Sequence, residues 1–191
     1  ETNLQDETDF RVKSKLNLLE KNEIGKRAAE LVQDNEVIFL DAGTSTASMI
    51  AYLAELKGLL VVTNGLSIAS LLSDFDIKTY LVGGQLKNKT RALIGAEVVD
   101  RLRTFRFDRC FMGTNGIDRV QGLTTPDIQE AQIKSTAIEQ SRDAYVLADC
   151  SKFDQTSFAR FADLQDVTII ADECPEWLKT DQQLNYLEVQ K

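Results

Sequence analysis

One stretch organises the chain: Phe39-Leu40-Asp41-Ala42-Gly43-Thr44-Ser45-Thr46-Ala47. The apolar run 37–40 predicts a buried strand, and the residues from Thr44 to Leu56 predict a helix. A strand, a tight turn and a helix start bring free backbone N–H groups together, which favours the binding of a small anion. The sequence leaves a second interpretation open, in which Thr44 or Ser45 only caps the helix.

The rest of the chain alternates between apolar and amphipathic segments. Strands are predicted at 59–63, 77–82, 107–112, 144–148, 167–171 and 185–189, and helices at 18–33, 67–73, 95–103 and 127–141. These strands are short, apolar and often continuous rather than alternating, so we expect both faces of the sheet to be covered. The sequence therefore predicts an α/β fold with a doubly wound, mostly parallel sheet and helices on both faces.

Small and polar residues follow five of the predicted strands. In parallel sheets, ligands bind outside the carboxyl ends of the strands, so these residues predict a ligand site along one edge. Neither a GxGxxG nor a GxxxxGK[ST] motif is present, and this argues against a dinucleotide or P-loop nucleotide site. The residues in question are Asp41 to Thr44, Thr63-Asn64, Gly83-Gly84, Gly113 to Gly116 and Asp149 to Lys152.

Composition narrows the classes of function. A chain of 191 residues is long enough for one domain. Its net charge of -8 argues against binding of DNA by this chain alone, because DNA-binding surfaces are usually basic. The absence of histidine excludes Ser-His-Asp catalysis, and we expect neither a cofactor nor a metal ion. No signal peptide or membrane span is apparent, and the separated Cys110, Cys150 and Cys174 are expected to be reduced, buried residues of a cytoplasmic protein.

Two charged residues on the helix predicted at 127–141 are candidates for the site. Glu130 and Lys134 are spaced i, i+4, which places them on one face of the helix. They are either a surface ion pair of little consequence or a carboxylate and an ammonium directed into a pocket. The pocket is favoured because the segment 122–126 leads into this helix from the strand-end edge.

Basic residues near the same edge are candidate partners for an anion. Lys152 lies shortly after the strand predicted at 144–148 and could serve as a counter-charge, whereas the sequence gives Lys21 no more than a surface position. Lys87, Lys89 and Arg91 form a basic patch after Gly83-Gly84. This patch either reaches over an anionic ligand or is a solvated loop, and the sequence does not decide between the two.

Taken together, these motifs resemble the C-terminal effector domain of DeoR-family bacterial transcription repressors, most closely those of fructose-uptake operons. The resemblance implies a sensor of a phosphorylated sugar such as fructose 1-phosphate, on a sheet similar to that of ribose-5-phosphate isomerase. It also implies an N-terminal winged helix-turn-helix, absent from this chain, through which alone operator DNA would be bound. The matching pieces are 20–25, 41–46, 62–64, 82–84, 107–113, 116–118, Glu130 with Lys134, and 149–153.

The resemblance gives the chain a domain organisation. Residues 1–19 are expected to be a connector from the missing DNA-binding domain, and residues 20–191 the effector-binding domain. We also expect self-association, because repressors usually read two half-sites as symmetric oligomers. Candidate surfaces are the first helix and the segment 158–161, and a strictly monomeric mass at all concentrations would contradict this.

The comparison with the isomerase supplies a competing hypothesis. Such isomerases resemble this chain at Asn115-Gly116-Ile117-Asp118 and at Glu130, but the first Asp of their segment is Asn here and their loop lysine is missing. An isomerase needs both a base and a cation that stabilises the enediolate. We therefore expect binding without turnover.

The predicted site combines a phosphate end and a sugar end. The phosphate is expected at Gly43, Thr44, Ser45 and Thr46, with Lys152 or Lys21 as counter-charge. Binding is expected to close the segments at Gly83-Gly84 and 122–126. The sugar end is expected to use Asp41, Thr63, Asn64, Gly83, Gly84, Asn115, Asp118, Glu130 and Lys134.

Overall fold

The computed structural model describes residues 3–189, and the strands and helices below lie within that range. In chain order the strands are β1 (Val37–Leu40), β2 (Leu60–Thr63), β3 (Lys78–Leu81), β4 (Gln85–Lys87), β5 (Ala92–Ile94), β6 (Phe107–Met112), β7 (Gly116–Asp118), β8 (Gly122–Thr125), β9 (Ser141–Ala148), β10 (Ala159–Ala162), β11 (Thr168–Ala171) and β12 (Asn185–Glu188). The α-helices are α1 (Phe10–Lys13), α2 (Leu18–Ala29), α3 (Thr44–Ala47), α4 (Leu66–Asp74), α5 (Ala96–Leu102), α6 (Ile128–Glu139) and α7 (Glu176–Thr180).

In residues 3–189, seven strands form one sheet in the order β12-β11-β9-β6-β1-β2-β3. Each neighbouring pair in this sheet is parallel. From β1 the chain first runs outward through β2 to β3, and the later strands add on the other side of β1, beginning with β6. The strand order therefore reverses between β1 and β6, and ligands of open α/β sheets bind at such a switch point.

Hydrophobic cores lie on both faces of the sheet. On β1, Phe39 is packed into one core with residues of α5, α6 and α7. Its neighbours Ile38 and Leu40 belong to the other core, with residues of α2 and α4. Successive side chains of a strand point to opposite faces, so a continuously apolar strand requires this double cover. The predicted doubly wound, mostly parallel α/β sheet is confirmed.

The single helix predicted from Thr44 to Leu56 is wrong. Helix α3 has four residues, and a 3-10 turn follows at Ile50–Leu53. Hydroxyl groups account for the early end, because the Thr46 side chain donates to the Gly43 carbonyl at 2.8 Å and the Ser48 side chain donates to the Ser45 carbonyl. Such local hydrogen bonds from side chains compete with the backbone hydrogen bonds that would continue the helix.

The sequence analysis missed two small antiparallel sheets. Strands β7, β8 and β10 form one, in the order β10-β8-β7, and β4 pairs with β5 in the other. The segment 122–126, expected to be a closing loop, therefore contains strand β8 and pairs on both sides. A four-residue strand that starts at a glycine gives little sequence signal, and its partner β10 is more than thirty residues away along the chain.

The remaining expectations concern the chain's surface and its cysteines. Cys110 and Cys174 are buried as expected, whereas Cys150 is exposed, contrary to the expectation. Of the surfaces expected to self-associate, α2 exposes Leu18 and Leu19, and Phe158 is 55% exposed. Self-association stays a prediction. Within residues 3–189, every helix is too short or too polar to cross a membrane.

Candidate functional site

A cavity of about 140 Å³ lies at the carboxyl ends of β9, β6, β1 and β2, across the switch point of the sheet. Of the residues expected at the phosphate end, those that line it are Lys21, Gly43, Thr44, Ser45 and Lys152. Of those expected at the sugar end, those that line it are Asp41, Asn64, Asn115, Glu130 and Lys134. The structure thus brings together ten residues that are widely separated in the sequence.

The turn before α3 presents unused backbone donors. Its N-cap is Gly43, which offers no side chain to the helix start. The Gly43 N–H donates to Asp41 Oδ1 at 3.0 Å. Among the described residues there is no acceptor for the N–H groups of Thr44, Ser45 and Thr46. Thr44 is the first helical residue rather than the cap, so the capping interpretation does not describe this turn.

A buried ion pair fixes the shape of this turn. Lys134 donates to Asp41 Oδ2 and, at 3.0 Å, to the Gly113 carbonyl at the end of β6. Asp41 also accepts from the Gly113 N–H at 2.9 Å and from the Thr46 hydroxyl at 3.1 Å. The carboxylate therefore has partners on both oxygens, and it joins the ends of β1 and β6. Asp41 therefore stabilises the conformation of the turn.

Glu130 and Lys134 do not pair with each other. Lys87 takes the place of Lys134, because its ammonium lies 3.0 Å from Glu130, 2.9 Å from Asp127 and 2.6 Å from Glu7. Burial raises the pKa of Glu130, although the charge of Lys87 opposes this. Burial works against the charge of Lys87, but its hydrogen bonds to Glu7 and Asp127 outweigh that effect and raise its pKa. The cluster carries more negative than positive charge.

The basic patch of Lys87, Lys89 and Arg91 is neither a cover over an anionic ligand nor simply a solvated loop. Lys87 is turned inward to the carboxylates, whereas the Lys89 carbonyl accepts from the Phe10 N–H at 3.0 Å. The Arg91 guanidinium lies 5.6 Å from the centre of the Phe10 ring. The patch therefore holds the segment around Phe10 in place.

Lysines gather at the phosphate end of the cavity. Lys21 donates to the Thr44 hydroxyl at 3.0 Å and to the Lys13 carbonyl at 2.6 Å. Burial lowers the pKa of Lys21. Burial, followed by the charges of Lys152 and Lys134, lowers the pKa of Lys13 to about 8. An anion placed among these ammonium groups would relieve their mutual repulsion.

Two buried oxygen atoms at the cavity have no partner among the described residues. They are Asn64 Oδ1 and Thr90 Oγ1, and both residues line the cavity. The Asn64 amide nitrogen is already used, since it donates to the Leu93 carbonyl at 3.2 Å. Buried polar atoms are nearly always hydrogen-bonded, so an acceptor left open here suits a ligand hydroxyl.

Other expected site residues lie outside this cavity. Thr46 is fully buried beneath the turn, and the Thr63 hydroxyl accepts from the Gly65 N–H at 3.0 Å. Gly83 and Gly84 follow β3, which is the outermost strand on its side of the sheet. Asp118 accepts from the N–H groups of Val120 and Gln121 at the turn between β7 and β8.

Several lining residues were missed by the sequence analysis. Glu7, Phe10 and Lys13 lie in the segment expected to be a connector, and Thr90 lies in the turn between β4 and β5. No periodic pattern marks the connector, because its contacts are polar and its partners are distant in the sequence. A segment of this kind is placed only by the three-dimensional structure.

A parallel sheet with a polar cavity at its switch point defines a ligand-binding α/β domain. Its fold is similar to that of ribose 5-phosphate isomerase A from Methanocaldococcus jannaschii, with a TM-score of 0.51 and 20% identity, covering 70% of this chain and 53% of the isomerase. The likeness confirms the expected fold.

The family follows from the sequence itself. Residues 16–173 match the DeoR C terminal sensor domain, so the chain belongs to the DeoR family. It is 44% identical over 170 residues to the uncharacterized HTH-type transcriptional regulator FruR of Bacillus subtilis, covering 89% of this chain and 68% of that protein. It is 34% identical over 168 residues to the HTH-type transcriptional regulator GlpR of Haloferax volcanii, covering 88% and 66%. The expected family is confirmed, and these relatives are transcriptional regulators.

Proposed function

We propose that this domain senses a phosphorylated sugar, such as fructose 1-phosphate, and thereby alters DNA binding by an N-terminal winged helix-turn-helix. The observation that carries the proposal is the turn at Thr44–Ala47. Its first three backbone N–H groups have no acceptor within residues 3–189, Lys21 contacts the Thr44 hydroxyl, and Lys152 lines the same cavity. Because α3 has only four residues, these donors and lysines matter more here than a helix dipole.

The sugar is proposed to lie on the side of the cavity away from these lysines. Asn64 lines the cavity with a carbonyl oxygen that has no partner within residues 3–189, and Asn115 and Glu130 line the cavity as well. Amide and carboxylate oxygens accept hydrogen bonds from sugar hydroxyls. Thr90 adds a buried hydroxyl that has no hydrogen-bond partner in the part of the chain that the structure describes. Polar groups of this kind would orient the ring, while the phosphate would supply most of the affinity.

A thermal-shift panel tests this function. We expect fructose 1-phosphate or a related sugar phosphate to raise the melting temperature by roughly 5–10 °C at about 100 times its Kd, since such a ligand adds about 2.7 kcal/mol to the stability. Unphosphorylated fructose is the matched control and should leave the melting temperature nearly unchanged. The proposal is contradicted if none of fructose 1-phosphate, fructose 6-phosphate, glucosamine 6-phosphate and ribose 5-phosphate stabilises the protein.

The alternative function is isomerisation of a sugar phosphate, and we expect none. Of the two carboxylates that resemble an isomerase, Asp118 is used in a distant turn and Glu130 is held by Lys87. Incubation with ribose 5-phosphate and with fructose 6-phosphate should give no product above background by chromatography. Turnover that disappears in Glu130→Gln would instead support the isomerase.

A further inference from the structure

Residues 7–17, here called the N-terminal lid, cover the cavity. Among them, Glu7, Phe10, Lys13 and Asn17 line it, although all but the last two residues of the lid precede the part of the chain that matches the sensor domain. We propose that Lys13 is a ligand of the effector's phosphate and that the bound anion holds the lid against the domain. This inference rests on the proposed function and extends its site to a segment outside the matched domain.

The N-terminal lid is held against the rest of the domain by contacts along its whole length. At its start, Glu7 pairs with Lys87 at 2.6 Å. In its middle, the Phe10 N–H donates to the Lys89 carbonyl and the Phe10 ring lies beneath Arg91. Near its end, the Lys13 carbonyl accepts from Lys21, as described above. These contacts place the Lys13 side chain in the wall of the cavity rather than in solvent.

The docked lid brings like charges together. Burial, followed by the charges of Lys152 and Lys134, lowers the pKa of Lys13, and the charges of Glu7 and Glu130 offset this only in part. Without an anion, this repulsion opposes docking of the lid. A phosphate dianion would change the repulsion between Lys13 and Lys152 into attraction, because neither ammonium group has an ion-pair partner within residues 3–189, whereas Lys134 already pairs with Asp41. The lid and the phosphate are therefore expected to stabilise each other's binding.

The lid is attached in a way that allows it to leave. Helix α1 contributes no buried residue, so the lid adds little to either hydrophobic core. At its end, Asn17 adopts a left-handed conformation with φ 50°, and its side chain does not cap α2. The lid's backbone hydrogen bonds can be exchanged for water at small net cost, so the main cost of opening is separation of the Glu7–Lys87 pair, whose side chains are only 11% and 18% exposed. A bound anion would add to these contacts and shift the lid further toward the docked state.

Lys21 connects the lid to the phosphate turn. Its ammonium bridges the Lys13 carbonyl and the Thr44 hydroxyl. A phosphate at the turn would meet Lys21 directly, and the Lys13 side chain lines the same cavity. The lid is thus in contact with the same groups that are proposed to bind the effector.

The test compares Lys13→Met with Lys15→Met in the 191-residue chain. Lys15 is an exposed lysine two residues away that does not line the cavity, so it controls for the loss of a charge. By calorimetry with fructose 1-phosphate, we expect Lys13→Met to bind roughly ten- to hundredfold more weakly, as for a lost charge-assisted hydrogen bond. Lys15→Met should bind within about twofold of the parent, since screening weakens a distant exposed charge.

Limited trypsin cleavage after Arg11 gives a second readout. Arg11 lies within the lid and its side chain is 76% exposed. Fructose 1-phosphate is expected to slow this cleavage in the parent and not in Lys13→Met. If the parent binds the sugar phosphate and Lys13→Met binds it equally well, the inference is wrong and the proposed function stands. If the parent binds none of the sugar phosphates in the panel, both are wrong.

Discussion

Lys134→Met is expected to lower the free energy of unfolding by about 3 kcal/mol. The substitution leaves the Asp41 carboxylate buried without its ammonium partner, and breaking a buried ion pair from one side typically costs ~3–5 kcal/mol. The lower end applies because Asp41 keeps its bonds from Gly43, Gly113 and Thr46. This is a large share of a typical domain's stability of about 5–15 kcal/mol.

Urea unfolding at pH 7 measures the effect, with Lys152→Met as the matched control. Lys152 lines the same cavity, but no ion pair holds it among the described residues, and it repels Lys13. Its replacement should leave the stability unchanged or raise it slightly. A loss of less than about 1 kcal/mol in Lys134→Met would show that Asp41 does not depend on its partner.

The large sheet could be predicted from the sequence because several of its inner strands are buried on both faces. Runs such as 37–40 and 59–62 are apolar throughout, and the structure places strands β1 and β2 side by side in parallel. The three-stranded sheet gives no such signal in the sequence, because its strands β7 and β8 are short and contain glycine. Their pairing with each other and with β10 depends on contacts between distant segments, which local patterns do not reveal.

The edge of the sheet that carries the cavity was also predictable, but the extent of the cavity was not. The rule on strand ends locates Asp41, Asn64 and Asn115 correctly along the strand direction. The rule does not say how far apart two strand ends lie across the sheet, because that distance depends on the order of the strands. Gly83-Gly84 follows β3, which β2 and β1 separate from β6. The N-terminal lid could not be predicted for a related reason. Lys13 becomes part of the cavity only because the lid contacts residues that are far away in the sequence.

Thr44→Asp is expected to weaken the binding of fructose 1-phosphate by roughly 100- to 1000-fold. A carboxylate at the turn would lie about 4–5 Å from the proposed phosphate, where two like charges repel by about 3–4 kcal/mol at an effective dielectric constant near 20. It would also pair with Lys21, whose ammonium already contacts the Thr44 hydroxyl at 3.0 Å. The phosphate would therefore lose a counter-charge in addition to facing a negative one.

The fold should survive this change, which makes it a test of the site rather than of stability. Thr44 is partly exposed and begins α3, and an acidic residue in the first turn of a helix is favourable. Thr44→Asn is the matched control, because it has the shape of Asp without the charge and should bind within about tenfold of the parent. Calorimetry measures both affinities, and thermal unfolding checks that both variants remain folded. If Thr44→Asp binds the sugar phosphate as tightly as Thr44→Asn does, the phosphate does not lie at this turn.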